Sequence, residues 1–122
     1  MPSTPSKMTG CFKIAVNVPP DFLEDVMDAV TASIEPIYPG YDRCFCHWPV
    51  TGTWRPLEGS NPFDGRIGEI CVAEEIRLEF AVKEGDLRNA VGAIRRIHPY
   101  EEPAIDVIPM IPWKNLSPSD GI

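Results

Sequence analysis

Twice along this chain, a segment in which apolar and polar residues alternate is followed by a segment in which apolar residues recur at helical spacing. Residues 11–18 alternate with a period of two, and residues 22–34 carry a helical apolar stripe. Residues 69–82 and 87–97 repeat that succession. Alternation is typical of a half-buried strand, and a stripe of apolar residues three to four positions apart is typical of an amphipathic helix. The pattern predicts two strand–helix units.

Two shorter apolar segments supply the remaining strands. One runs from Tyr41 to Trp48 and the other from Ala104 to Ile108. Pro49 follows the first, and because proline cannot donate a hydrogen bond to a sheet, we expect this region to bend or to lie at an edge. Residues 51–68 are rich in glycine and proline and predict a long loop. The order β-α-β-β-α-β predicts an α+β, ferredoxin-like fold, an antiparallel sheet with both helices on one face.

Acidic side chains stand where both helices are expected to begin. Asp21, with Glu24 three residues later, has the spacing of a capping box, and Asp86 precedes the second helix. Pro99 is expected to end the second helix, because proline disfavours helical backbone at the residue before it, here His98.

The charge balance limits the classes of partner. The chain has 11 Lys and Arg residues against 18 Asp and Glu residues, a net charge of -7. A nucleic-acid or anionic membrane surface calls for a basic face, so we expect neither partner. The 122 residues suit one domain. We predict that domain over residues 11–113, between a flexible leader (residues 1–10) and a polar tail (residues 114–122).

The chain carries no recognisable export or membrane signal. No apolar run is long enough to cross a bilayer, and the first ten residues lack the apolar core of a secretory signal. We therefore expect a cytoplasmic protein. Its four cysteines are then expected to be reduced thiols.

Two motifs resemble a known group of proteins. Residues 98–103 read His-Pro-Tyr-Glu-Glu-Pro, and residues 51–63 read Thr-Gly-Thr-Trp-Arg-Pro-Leu-Glu-Gly-Ser-Asn-Pro-Phe. The first motif, with its flanking helix and strand, is similar to the last helix-to-strand junction of the CutA divalent-cation-tolerance proteins. Both motifs together, with an acid at Glu74, resemble the PII/CutA-like domain inserted in NIF-three-like dinuclear-metal proteins. The resemblance extends from Cys11 to Pro112.

The resemblance implies a stand-alone PII/CutA-like domain. It implies the same ferredoxin-like fold, and a homo-oligomer for which a trimer is favoured and a dimer is the alternative. The metal-binding residues of NIF-three-like proteins lie in their flanking domains, so the resemblance implies neither a dinuclear site nor a hydrolase or cyclohydrolase activity here. The implied function is that of a non-catalytic regulator or sensor that binds a small ligand or a protein partner in a cleft between subunits.

We expect seven residues from the two motifs to line that binding site. The Thr-Gly-Thr segment would offer backbone donors, and the histidine and tyrosine would offer polar contacts. The seven are Thr51, Gly52, Thr53, Arg55, His98, Tyr100 and Glu101. No catalytic residue and no cofactor are assigned, although a divalent metal stays open as an alternative.

Two other functions are compatible with the sequence. A divalent-cation-binding protein of CutA type would use thiolates and imidazoles, and its candidate ligands are His98, Cys44, Cys46 and His47. On a strand, Cys44 and Cys46 would face one way and His47 the other, which disfavours a shared ion. An enzyme would use His98 or Glu101 as a general base, although no nucleophile or cofactor motif accompanies either residue.

Overall fold

The helices and strands follow the predicted order. The computed structural model describes residues 10–116, so residues 1–9 of the predicted leader and 117–122 of the predicted tail lie outside the described residues. The strands are β1 (Cys11–Val18), β2 (Cys46–Trp54), β3 (Cys71–Lys83) and β4 (Ile105–Met110). The helices are α1 (Leu23–Ser33) and α2 (Leu87–Ile97).

The strands form one antiparallel sheet in the order β2-β3-β1-β4. The central strands β1 and β3 pair along the length of β1, with Ile14 opposite Phe80 and Val16 opposite Leu78. The two helices pack against each other. This arrangement confirms the predicted α+β, ferredoxin-like fold.

The core lies between the two helices and one face of the sheet. Alternate residues of β1 and β3 point into it, as the period of two requires. Its largest fully buried side chains are Ile14, Val16, Val18, Leu78 and Val82 from the strands and Val26, Val30 and Ile94 from the helices. Within residues 10–116, no helix is long and apolar enough to cross a bilayer.

The other face of the sheet, here called the open face, carries a network of charged side chains. The Arg77 guanidinium is 3.1 Å from Asn17 Oδ1 and 3.5 Å from Asp106 Oδ2. It also lies 3.7 Å from the carboxylate of Glu79, which Lys13 Nζ approaches at 3.7 Å. These contacts join β3, β1 and β4 and make this part of the open face polar.

Strand β2 begins later and ends later than the sequence indicates. It starts at Cys46 instead of Tyr41, and it includes Thr51–Trp54, which the glycine and proline content wrongly predicts as loop. Threonine and tryptophan are favourable in strands, and pairing with β3 along all nine residues outweighs the poor strand propensity of Pro49 and Gly52. Pro49 lies within this edge strand, as expected for a proline in a sheet.

Strand β4 also extends beyond its predicted end, through Pro109 to Met110. It forms the opposite edge of the sheet. A proline is tolerated there because the N–H that it lacks would point away from the neighbouring strand.

The predicted side-chain caps are not formed, although Asp86 does occupy the N-cap position of α2. A short 3-10 turn precedes each helix, Pro20–Phe22 before α1 and Glu84–Asp86 before α2, and no side chain caps either helix. Asp21 therefore lies inside the first turn. Asp86 instead accepts a hydrogen bond at 2.9 Å from the backbone N–H of Glu35, which ties the segment after α1 to the start of α2.

Candidate functional site

A concave surface, here called the cleft, lies between β2, the loop of residues 55–70 and the segment of residues 98–104. Its volume is about 490 Å³. Five of the seven predicted ligand-binding residues line it, namely Gly52, Thr53, Arg55, Tyr100 and Glu101. The two sequence motifs are about 40 positions apart, and the fold brings them together in one cavity of the size that small ligands occupy.

The cleft is lined by a buried acidic residue, Glu75, which is only 4% exposed. The Tyr100 hydroxyl donates a hydrogen bond to Glu75 Oε2 at 2.8 Å. A Cβ atom at position 52 would overlap Glu75 Oε1, so the carboxylate reaches the β2 backbone only because Gly52 has no side chain. Burial, followed by the hydrogen bond and charge of Glu75, raises the pKa of Tyr100 well above its usual value. The phenol therefore stays a hydrogen-bond donor at neutral pH.

The His98 ring is buried and hydrogen-bonded through both nitrogens. His98 has extended backbone after α2, which confirms that Pro99 ends the helix. Nε2 lies 2.7 Å from the carbonyl oxygen of Asn17, and Nδ1 accepts a hydrogen bond from the backbone N–H of Tyr100 at 3.2 Å. These partners require a neutral ring with its proton on Nε2. Neither nitrogen is free to bind a metal or to take a proton from a substrate, so His98 positions the chain that carries Tyr100.

The loop of residues 55–70 is tied to the rest of the cleft by two hydrogen bonds. The Trp54 indole N–H donates to the carbonyl oxygen of Asp64 at 3.4 Å. The backbone N–H of Asn61 donates to Glu101 Oε1 at 2.9 Å. The second bond joins the two motifs directly, because Asn61 belongs to one motif and Glu101 to the other.

Aromatic rings supply the apolar part of the cleft. The Tyr100 ring lies 5.4 Å from the Trp54 ring and 6.1 Å from the Phe63 ring, measured between centroids, and both pairs are tilted. Phe63 also packs edge-on against Phe22 at 6.0 Å. Tilted and edge-on arrangements are the favourable ones for aromatic pairs, so these rings hold one another in place.

Thr51 lies apart from the cleft. It is exposed and faces the opposite side of β2 from Gly52, as alternation along a strand requires. Its hydroxyl donates to Glu74 Oε1 at 3.0 Å across the β2–β3 pair.

The candidate metal ligands are not brought together. Cys44, Cys46 and His47 are exposed, and His98 is buried. Among the residues that the structure describes, no three His, Cys, Asp or Glu side chains are grouped so as to hold a metal ion.

Sequence reasoning missed Glu75, Trp54 and Phe63 as residues of the cleft. The resemblance singles out the neighbouring Glu74 instead. The parity of the β3 pattern carries the missing signal: Leu78 faces the core, so Glu75, three positions earlier, faces the open side. The two aromatic residues stand in the Thr51–Phe63 motif, but sequence spacing does not indicate which of its side chains turn inward.

Relatives of this chain are longer proteins. No protein-family model matches the chain. It is 35% identical over 106 residues to the "GTP cyclohydrolase 1 type 2 homolog" of Halalkalibacterium halodurans, covering 87% of this chain and 28% of the relative. The chain thus spans just over a quarter of the length of that relative.

Solved structures with the same fold include a NIF3-related protein, CutA proteins and PII proteins. A Bacillus cereus protein related to NIF3 matches with a TM-score of 0.72 and 29% identity, over 90% of this chain and 27% of that chain. CutA1 from Shewanella sp. SIB1 matches with a TM-score of 0.65 and 16% identity, over 93% and 92%. Arabidopsis thaliana PII bound to citrate matches with a TM-score of 0.55 and 17% identity, over 84% and 78%. This chain therefore has the fold of the PII and CutA proteins and is related in sequence to a segment of the longer NIF3-related proteins.

Proposed function

We propose that this domain binds a small molecule in the cleft and acts as a non-catalytic regulator or sensor. The observation that carries the proposal is the convergence of both motifs on one cavity of about 490 Å³ around a buried carboxylate. Apolar walls with a few polar groups in their midst are the usual composition of small-molecule sites. The activity named for the longer relatives is not part of the proposal, because the chain matches only a part of their length.

A binding role fits the chemistry of the cleft better than a catalytic role. His98, the candidate general base, has both ring nitrogens engaged by backbone groups. The raised pKa keeps the Tyr100 phenol protonated at neutral pH, so that no phenolate is available there to act as a general base. Both groups therefore serve to hold a geometry.

We propose that the protein works as a homo-oligomer, with a trimer favoured, in which a neighbouring subunit covers the outer side of the cleft. The shared fold with CutA and PII proteins supports this proposal. Large apolar side chains on the outer strands and beyond β4 also support it, since an assembly would remove them from water: Trp48, Val107, Ile108, Ile111 and Trp113. A cytoplasmic location is proposed from the four free thiols.

Ligand binding at the cleft is tested by nuclear magnetic resonance with a library of amines, carboxylates, nucleotides and neutral metabolites. One chemical class is expected to shift the Gly52 amide and the Trp54 indole resonances saturably. Trp54→Ala is expected to abolish the response of the Gly52 amide, and Tyr41→Ala, which removes a 71% exposed aromatic residue outside the cleft, should retain it. If no class shifts these resonances, or if Trp54→Ala responds as the native protein does, the proposal fails.

A further inference from the structure

We propose that the ligand of the cleft is a small organic cation, an amine or quaternary ammonium compound whose charged group lies beside Glu75 and against the aromatic rings. This inference rests on the proposed function, because it names the chemical class of the molecule that the cleft binds.

The aromatic wall is the first support. Trp54, Phe63 and Tyr100 all line the cleft, and the Tyr100 ring centroid lies 5.4 Å from that of Trp54 and 6.1 Å from that of Phe63. The faces of such rings carry partial negative charge and attract an ammonium group within about 6 Å. Several rings around one cavity are the arrangement that recognises quaternary and methylated ammonium groups.

The buried carboxylate is the second support. Glu75 Oε2 is occupied by the Tyr100 hydroxyl. No residue among 10–116 donates a hydrogen bond to Oε1, the oxygen that lies over Gly52. A carboxylate oxygen that belongs to a largely buried residue, is held in place and is left without a donor is a strong partner for a cationic group.

The charge of the other polar walls is the third support. Asp64, Glu101 and Glu102 line the cleft in addition to Glu75, and Arg55 is the one cationic side chain among its lining residues. This imbalance attracts cations and repels phosphates and carboxylates. A bare metal ion would need several grouped donor side chains, and the described residues form no such group. Rings and carboxylates together select an organic cation.

The test compares charged probes with neutral molecules of the same shape. Choline is paired with 3,3-dimethylbutan-1-ol and n-butylammonium with n-butanol, and binding is followed by the Trp54 indole and Gly52 amide resonances. We expect each ammonium probe to bind at least roughly tenfold more tightly than its neutral partner, a difference of about 1.4 kcal/mol.

Two glutamate variants form the matched pair of the test. Glu75→Gln keeps an acceptor for Tyr100 and removes the charge in the cleft, and we expect it to weaken ammonium binding about tenfold. Glu74→Gln removes the same charge one residue away on the opposite side of β3, where the side chain contacts Thr51, and should bind as the native protein does.

The outcomes separate this inference from the proposed function. Equal binding of charged and neutral probes, or unchanged ammonium binding in Glu75→Gln, overturns the cation but leaves the cleft as a ligand site. The same holds if only anionic or neutral library members bind. Absence of binding by ammonium probes at millimolar concentration overturns the cation as well, and if the whole library is silent the proposed function falls with it.

Discussion

Gly52 is the residue of the cleft at which one added methyl group has the clearest consequence, because the Glu75 carboxylate lies against it. In Gly52→Ala the new Cβ would displace the Glu75 carboxylate and break its hydrogen bond with Tyr100. We expect a loss of about 1–3 kcal/mol in the free energy of unfolding, as for other overpacked sites. Urea denaturation measures this loss.

The control for that prediction is Gly92→Ala. Gly92 lies inside α2, and an added Cβ meets no neighbouring atom within 4 Å. Alanine favours a helix over glycine by up to about 1 kcal/mol, so this variant should be more stable than the native protein. If Gly52→Ala is stabilised in the same way, the account of the Glu75 position is wrong.

His98 should make the stability of the protein depend on pH. Burial lowers the pKa of the folded ring, an effect that outweighs the Asn17 carbonyl and the charge of Glu75, both of which raise it. The unfolded chain therefore takes up a proton at a higher pH than the folded chain does. The contribution of His98 is fully present above roughly pH 6.5 and is lost as the pH falls toward the folded value.

The measurement is urea unfolding at pH 7.5 and pH 5.5 for the native protein, His98→Gln and His47→Gln. His98→Gln should be less stable than the native protein at pH 7.5, because buried hydrogen bonds are lost, and this difference should shrink at pH 5.5. His47→Gln, which alters an exposed side chain, should leave the pH dependence as it is in the native protein. A constant difference between the native protein and His98→Gln at both pH values would contradict the assignment.

The sequence indicates which segments form the cleft, but it does not indicate which of their side chains point into it. Both motifs point to the cleft, and five of their seven nominated residues line it. His98 resembles a functional residue because histidine beside acids is typical of active sites, yet its ring is held by backbone groups from β1 and from its own junction. Sequence spacing contains no information on such a tertiary partner, here Asn17, 81 positions away.

At the scale of elements, the loop of residues 55–70 depends on one exposed carboxylate for its bond to the second motif. In Glu101→Ala the Asn61 N–H loses its acceptor. We expect amide hydrogen exchange in this loop to accelerate severalfold while exchange in β1 and β3 is unchanged, because local opening is governed by local bonds.

Glu102→Ala is the matched control for the loop. Glu102 is the adjacent exposed acid, and within residues 10–116 its side chain makes no hydrogen bond or ion pair. Its substitution should leave exchange in the loop as it is in the native protein. Equal acceleration in both variants would indicate a general charge effect and not the Asn61 bond.

The ends of a strand were predictable where the alternation of apolar and polar residues is strong. They were not predictable where pairing with a neighbouring strand sets them. Strand β1 has the bounds that its alternating residues predict, Cys11–Val18. Strand β2 does not, because Pro49 and Gly52 are poor strand formers and only the adjacent β3 holds them extended. The two predicted side-chain caps do not form for a related reason. Each helix is preceded by a 3-10 turn, and a single acidic residue does not predict such a turn.

At the scale of the whole molecule, we expect copies of the chain to meet through the open face. Native mass spectrometry is expected to detect a trimer. Arg77→Glu should weaken it, because the new carboxylate would face Glu79 and Asp106 on the open face. Arg88→Glu, which makes the same charge change on the exposed side of α2, should leave the assembly intact. Circular dichroism checks that both variants are folded. If the native protein is a monomer at every concentration, the proposed assembly is wrong.

The prolines of the two edge strands also bear on whether the protein can aggregate into fibrils. Fibrils with a cross-β core require each backbone group of a strand to pair with the chain above and the chain below. Pro49 in β2 and Pro109 in β4 each remove one donor from an outer edge of the sheet. Both flanks of the molecule therefore present an interrupted ladder, which guards the protein against fibrillar aggregation even though its outer strands expose apolar side chains such as Val107 and Ile108.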